Sequence, residues 1–233
     1  MISHSSQLYM DDETILNKNR IEALTDGVFA VVMTLLVLDI SVPQISSHYA
    51  IGNVAAGTEL LKRLFDLWPK ILSFGISFVI LAIYWVAHHR QFHYIKHSNR
   101  ALIWINIMFL MAICLVPFST SLLGEYREQE ISILVYGGNS IVIASLLCVQ
   151  WRYVTTSHDG RLLDENLDPI IKTTLSRRTL FGIIVYLIAT GFSFVYTQLS
   201  PFLFFALVLI PAFLPNKTIQ RIMIRRSRSK SGS

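Results

Sequence analysis

The sequence predicts an all-α, polytopic membrane protein with six transmembrane helices. Three observations support this prediction: 53% of the 233 residues are hydrophobic, only 15% are charged, and the mean hydropathy is +0.51. A soluble domain carries about 25% charged residues, so this chain has to bury much of its apolar surface in lipid. At this length we expect one membrane domain and no second, soluble domain.

Six apolar segments approach the length of about 20 residues that a helix needs to cross a hydrocarbon core of ~30 Å. They are predicted at about residues 21–40, 67–87, 101–123, 131–153, 179–197 and 202–214. The sixth segment is short and lies between Pro201 and Pro215. It is therefore the one that we expect to be tilted or only partly spanning.

The basic residues predict how these spans are oriented. With six spans, all but four of the 20 Lys and Arg residues fall on the side of the membrane that holds both termini. Because Lys and Arg concentrate in cytoplasmic loops, we expect a multi-pass protein with both termini in the cytoplasm. The four basic residues on the opposite side are Lys62, Arg63, Lys70 and Arg127.

The predicted organisation has three parts. They are a cytoplasmic N-terminal segment at residues 1–19, a six-helix transmembrane domain at residues 20–215 and a basic cytoplasmic tail at residues 216–233. Each basic residue close to an anionic membrane surface contributes about 1 kcal/mol of attraction. We expect the tail to contact anionic lipid rather than nucleic acid, because binding of nucleic acid would require the tail to be part of a folded basic face.

The cysteines and histidines give little sign of a cofactor. Cys114 and Cys148 each lie inside an apolar segment, which predicts inert thiols rather than a disulfide framework or a thiolate metal site. His89, His93 and His97 recur at helical spacing, but no carboxylate is placed with them as a further metal ligand. We therefore expect neither a metal nor another cofactor.

The first span differs from the others because charged residues lie within it. Asp26 is about 9 Å deeper along the helix than Arg20, and Asp39 marks the other end, about 28 Å from Arg20. An acid at the depth of Asp26 is costly in lipid and is a candidate for a functional site. It requires partners from other helices, because Arg20 projects about 120° away from it.

The cytoplasmic end of the second span, YWVAHHRQF, supplies candidate partners on the same side of the membrane. A buried hydrogen-bond network there would satisfy all of its polar members. The residues that we expect to form it are Arg20, Thr25 and Asp26 of the first span and Trp85, His88 and His89 of the second. The alternative is that the histidines only solvate the end of a helix.

One face of the first span is aliphatic and carries a single hydroxyl group. At 100° per residue, five residues fall within about 60° of Val31, namely Leu24, Gly27, Thr34, Leu35 and Leu38. Glu22 and Asp26 lie on the opposite face. Such a stripe is also typical of a helix buried in an ordinary bundle, so the stripe alone does not assign a function.

These features of the first span resemble those of a known family. The run Arg20-x-x-x-Leu24-Thr25-Asp26-Gly27 resembles the Arg-x-x-x-Phe-Ser-Asp signature of the prokaryotic transmembrane protein 175 potassium channels. The WVAHHRQF stretch and the six-span layout are similar to that family as well, so the resemblance covers nearly the whole chain. The chain departs from the signature at Leu24, which lacks the aromatic ring, and at Thr25, which keeps a hydroxyl in place of serine.

The resemblance implies a passive potassium channel of a prokaryotic plasma membrane, a homotetramer whose pore is lined by the first helix of each subunit. Carried over to this chain, Val31, Leu35 and Leu38 form a hydrophobic constriction, and Thr34 forms a hydroxyl ring that favours K⁺ over Na⁺. K⁺ is then the permeating ion rather than a cofactor. The sequence contains no TVGYG loop to coordinate K⁺ with carbonyl oxygens, so we expect modest selectivity.

A secondary transporter of a cation or small solute is the main alternative to a channel. Transporters often contain interrupted helices at corresponding places in two similar halves, and the halves of this sequence show no obvious similarity. An enzyme is not expected, because Ser77 and Ser193 have no evident partner base. Neither a GxSxG nor an HExxH motif occurs in the sequence.

Overall fold

The computed structural model describes residues 18–44, 54–126, 128–156, 162–164 and 167–193. In this part of the chain, five helical stretches are long and apolar enough to cross a membrane: Lys18–Asp39, Ala56–Tyr94, Arg100–Glu125, Glu130–Thr156 and Pro169–Phe192. They correspond to the first five predicted spans. The predicted sixth span and the basic tail lie outside the described residues.

The helices are numbered in chain order. Helix α1 runs over Lys18–Leu35 and continues as a short 3-10 turn, Leu36–Asp39. The others are α2 (Val54–Asp66), α3 (Trp68–Tyr94), α4 (Arg100–Cys114), α5 (Val116–Glu125), α6 (Glu130–Thr156) and α7 (Pro169–Ser193).

Local capping signals decide where two of the helices begin. The side-chain oxygen of Asn99 accepts a hydrogen bond of 3.0 Å from the N–H of Leu102 at the start of α4. At the start of α7, Asp168 Oδ1 accepts a bond of 2.8 Å from the N–H of Ile170. Helix α7 therefore begins at Pro169 rather than near residue 179, because a capping side chain and proline start a helix before its apolar part begins.

Proline residues lie at two junctions between helices. Pro117 is the second residue of α5, two positions after Leu115, and it has no N–H to bond the carbonyl of Ile113. In the same way, Pro69 is the second residue of α3, two positions after Leu67. Helices α4 and α5 together occupy the predicted third span, so proline divides this span without ending it.

Contacts between the connecting segments agree with the predicted alternation of the spans. The segment after α3 pairs with the segment before α7: the N–H of Lys96 bonds the carbonyl of Leu162 at 2.8 Å, and Lys96 Nζ lies 3.4 Å from Asp164 Oδ2. At the other end of the molecule, Lys70 Nζ lies 2.6 Å from Glu125 Oε2. The α3–α4 and α6–α7 connections therefore lie at the same end of the bundle.

The helices enclose two apolar clusters. The larger one contains Phe29 of α1, Leu81 of α3, Phe109 of α4 and Ile143 of α6, all of which are buried. The smaller one surrounds Trp151 at the end that holds the α3–α4 connection. Because α1 packs against α3 and α4, its position depends on the contacts that these two helices offer.

Helices α6 and α7 approach closely at a glycine. A Cβ atom placed on Gly137 would overlap the side chain of Thr190 in α7, whereas one placed on Gly138 would meet open space. Thr190 has little freedom to move, because its hydroxyl donates a hydrogen bond of 2.8 Å to the carbonyl of Tyr186. Glycine is therefore required at position 137 for this contact, because any Cβ atom would overlap Thr190.

We expect Gly137→Ala to destabilise the folded protein by about 1–3 kcal/mol, the usual cost of overpacking a well-packed contact. Gly138→Ala is the matched control and is expected to leave stability unchanged or to raise it slightly, because alanine favours a helix. Thermal unfolding of both variants in one detergent measures the difference. Equal melting temperatures for the two variants would contradict the close contact.

Candidate functional site

Helix α1 has two different faces. One face packs against the chain itself, and its buried side chains are Ile21, Thr25, Phe29, Val32 and, in the 3-10 turn, Leu36. The ring of Phe29 lies 6.1 Å from that of Phe109 in α4. The other face has no such cover within the described chain.

The predicted stripe lies on this uncovered face. Val31 is 57% exposed, Leu35 43% and Leu38 73%, so these side chains face away from the rest of the described chain. Thr34 is exposed as well, and its hydroxyl donates a hydrogen bond of 2.7 Å to the carbonyl of Val31. This bond uses the hydroxyl proton, so the lone pairs of the Thr34 oxygen remain available to a cation or to water.

The 3-10 turn aligns Leu38 with Leu35 at the C-terminal end of the stripe. In a 3-10 helix, side chains three residues apart eclipse each other, and the rise is about 2.0 Å per residue. Leu38 therefore lies about 6 Å further along the same line as Leu35. Asp39, the next residue, points about 120° away from this line.

Behind the uncovered face lies a series of buried, hydrogen-bonded side chains, here called the buried arm, which consists of Thr25, Asn106 and His88. Asn106 of α4 donates from Nδ2 to Thr25 Oγ1 at 3.2 Å. Its Oδ1 lies 2.8 Å from Nε2 of His88 in α3, and because an amide oxygen only accepts, His88 is the donor. The imidazole stacks on Phe92 at 4.3 Å and on Phe109 at 5.3 Å. The buried arm thus joins α1, α3 and α4.

A second group of contacting side chains, here called the exposed arm, consists of Asp26, Trp85 and His89. The indole Nε1 of Trp85 donates a hydrogen bond of 2.7 Å to Asp26 Oδ1. The indole also stacks on His89, with ring centroids 5.6 Å apart and an interplanar angle of 21°. Because Asp26 is exposed, the carboxylate keeps acceptor capacity for a group outside the chain.

The structure thus brings together five of the six residues expected in one network, but in two arms. Arg20 belongs to neither: it is exposed and makes no ion pair within the part of the chain that the structure describes. Sequence reasoning did not identify Asn106. A single Asn in the apolar run LIWINIMFL was the available signal, because a polar side chain at membrane depth needs a partner.

The two neighbouring histidines have separate surroundings. His88 is buried and bonded to Asn106, whereas His89 is exposed beside Trp85. Across the described ranges, no group of three or more His, Cys, Asp or Glu side chains is arranged to hold a metal ion. The arms therefore position helices and do not resemble a metal centre.

Comparisons with known proteins agree on one family. Residues 20–117 match the family described as the endosomal/lysosomal potassium channel TMEM175. A potassium channel of Chamaesiphon minutus is 36% identical over 200 residues, which cover 84% of this chain and 94% of that protein. A potassium channel of Streptomyces collinus is 33% identical over 186 residues, which cover 78% of this chain and 84% of that protein.

A solved structure extends the similarity to the fold. The crystal structure of a lysosomal potassium-selective channel TMEM175 homolog from Chamaesiphon minutus superposes on this chain with a TM-score of 0.71. The two are 32% identical, and the match covers 85% of this chain and 98% of that one.

Proposed function

The chain belongs to the TMEM175 family of ion channels, and from this premise we propose that it conducts K⁺ passively through a homotetrameric pore lined by four copies of α1. Membership confirms the predicted family, the helical membrane fold and the prediction that the chain is not an enzyme. K⁺ is the permeating ion, and the family requires no cofactor.

One observation carries the proposal: the aliphatic stripe with one hydroxyl, formed by Val31, Thr34, Leu35 and Leu38, is exposed on a helix whose other face is buried. A single α1 cannot enclose a path for an ion. Four copies that turn this face toward a common axis both cover the apolar surface and create the path. In this assembly Val31, Leu35 and Leu38 form stacked rings of hydrocarbon.

Such rings control conduction because they determine how much water the pore holds. A narrow apolar pore tends to lose its water, and an ion that crosses it must keep part of its hydration shell. The constriction therefore sets the barrier to conduction, and the three rings place it along the middle and outer part of α1.

The Thr34 ring supplies the selectivity. The hydroxyl proton of Thr34 is held by the carbonyl of Val31 at 2.7 Å, so four oxygen atoms face the axis as acceptors. K⁺ is less strongly hydrated than Na⁺ and gives up water to such oxygens more readily. Without a ring of backbone carbonyls, the preference for K⁺ is modest.

The two arms hold α1 in the orientation that this pore requires. The buried arm fixes the rotation of α1 against α3 and α4 through Thr25 and Asn106, and the exposed arm fixes its inner end through Asp26 and Trp85. Arg20 is at the same end, where it can meet a carboxylate of a neighbouring subunit. A rotation of α1 by one residue would move the stripe about 100° away from the axis.

The orientation in the membrane follows from the basic residues. We place both termini in the cytoplasm and the protein in the prokaryotic plasma membrane. The segments at residues 1–19 and 216–233 flank the channel domain at residues 20–215, and the tail contacts anionic lipid.

The test is ion flux into liposomes. Purified protein is expected to pass K⁺ down its gradient without ATP or a co-substrate, and Thr34→Ala is expected to lower the K⁺/Na⁺ permeability ratio by about two- to tenfold. This range corresponds to about 0.5–1.5 kcal/mol for one hydroxyl interaction. Reversal potentials under mixed ions measure the ratio.

Thr173→Ala is the matched control, because Thr173 is also an exposed helical threonine, bonded to the carbonyl of Pro169 at 2.9 Å, but lies on α7. It is expected to leave the ratio unchanged. A strict requirement for a co-substrate would indicate a transporter instead, and an unchanged ratio in Thr34→Ala would remove Thr34 from the selectivity mechanism.

A further inference from the structure

Helix α2 carries an apolar stripe that the channel mechanism does not use. Its exposed members are Leu61 (55%), Leu64 (46%), Phe65 (72%) and, at the start of α3, Trp68 (53%) and Ile71 (44%). At 100° per residue, all five lie within about 60° of Trp68. The stripe is therefore one continuous surface that crosses from α2 into α3.

The opposite face of α2 is polar. Lys62, Arg63, Glu59 and Asp66 lie at least about 120° from Trp68. Arg63 and Glu59 pair with each other at 2.8 Å along the helix. Helix α2 is thus amphipathic, with its charges separated from its apolar stripe.

The membrane-spanning part of the chain limits where α2 can lie. Helix α3 alone has 27 residues and is about 40 Å long, which already exceeds the ~30 Å hydrocarbon core. Helix α2 ends at Asp66, two residues before Trp68, so it lies at the membrane surface opposite to Tyr94. Its main neighbour in the described chain is α3, which leaves the stripe uncovered.

We propose that α2 lies along the outer surface of the bilayer, with Leu61, Leu64 and Phe65 inserted at the boundary between phospholipid headgroups and acyl chains. The argument is continuity: Ile71 belongs to a lipid-crossing helix, and the same stripe extends without a break through Trp68 into α2. Tryptophan is enriched at this depth of a membrane. Pro69 has no N–H for the carbonyl of Phe65, so the junction lacks one helical hydrogen bond, which allows the axis of α2 to bend toward the surface in the proposed arrangement.

Site-specific fluorescence tests the proposal in the full-length protein. In a Cys114→Ala, Cys148→Ser background, Phe65→Cys is labelled with an environment-sensitive fluorophore and reconstituted into phosphatidylcholine–phosphatidylglycerol vesicles. We expect blue-shifted emission and the strongest quenching by nitroxide lipids whose nitroxide lies about 5–10 Å below the surface. Leu61→Cys is a second reporter on the same stripe, in case Phe65→Cys does not fold.

Lys62→Cys on the polar face is the matched control. Its label is expected to be quenched by iodide in water and to respond weakly to nitroxide lipids. Equal quenching by iodide at positions 62 and 65 would overturn the proposal, because the stripe would then face water. A label at position 65 that is shielded from both iodide and nitroxide lipids would overturn it as well, because another protein surface would then cover α2.

Discussion

Replacing Leu38 by asparagine is expected to raise the unitary K⁺ conductance by about tenfold, which corresponds to a barrier lower by about 1.4 kcal/mol. Leu38 is 73% exposed and stands in line with Leu35 through the 3-10 turn, so the proposed tetramer places four copies of it around the axis. An amide at each of these positions holds water in the constriction and removes one apolar ring. Single-channel recording in planar bilayers measures the effect.

Val142→Asn is the matched control for this experiment. Val142 is also an exposed helical valine, but it lies on α6 rather than on α1. Its replacement is expected to leave the unitary conductance near the wild-type value. If Leu38→Asn and Leu35→Asn both assemble and conduct as the wild type does, the uncovered stripe does not line the pore.

Replacing Asn106 by leucine is expected to lower stability by about 3 kcal/mol and to reduce the fraction of assembled channel. Leucine has a similar volume but cannot bond to Thr25 or His88, and each buried group left without a partner costs about 1–3 kcal/mol. Thr25 and His88 are 1% and 2% exposed, so bulk water cannot easily replace the lost partner. Thermal unfolding and native mass measurement of the purified protein report the two effects.

Asn139→Leu is the matched control, because Asn139 is only half-buried and lies on α6, away from the buried arm. A double-mutant cycle with Thr25→Ala adds a second measurement: the effects of Thr25→Ala and Asn106→Leu are expected to be less than additive, because both remove the same 3.2 Å bond. Strict additivity, or an unchanged melting temperature in Asn106→Leu, would contradict the role of the buried arm.

Asp26→Asn alone does not test the hydrogen bond of the exposed arm, so Trp85→Phe is needed as well. Asparagine at position 26 still offers a side-chain oxygen to the indole of Trp85, so it changes charge without removing the 2.7 Å hydrogen bond. Trp85→Phe removes the donor and keeps an aromatic ring beside His89. The comparison separates the electrostatic contribution of Asp26 from the contact that joins α1 to α3.

Several features of the fold and the site follow from the sequence because they arise within one segment. Mean hydropathy and segment length predicted the five spans of the described chain, and the spacing of 100° per residue placed Val31, Thr34, Leu35 and Leu38 on one face. The fifth span was predicted to begin near residue 179, whereas α7 begins at Pro169, because hydropathy does not detect the helix cap at Asp168.

Other features depend on contacts between segments that are distant in the chain. The bond from Asn106 to Thr25 joins residues 81 positions apart, and that from Trp85 to Asp26 joins residues 59 positions apart. The sequence identified polar groups that needed partners, but the packing of α1 on α3 and α4 decided that Thr25 and Asp26 belong to separate arms.

The periodicity of α1 by itself determined which side chains share a face, because the helical repeat fixes the angles between residues of one helix. Only the tertiary structure decided that this face is the uncovered one, since exposure depends on where the other helices lie. The same distinction applies to Asn106. A single polar residue in an apolar run indicates that a partner is needed, but only the position of α4 determines that the partners are Thr25 and His88.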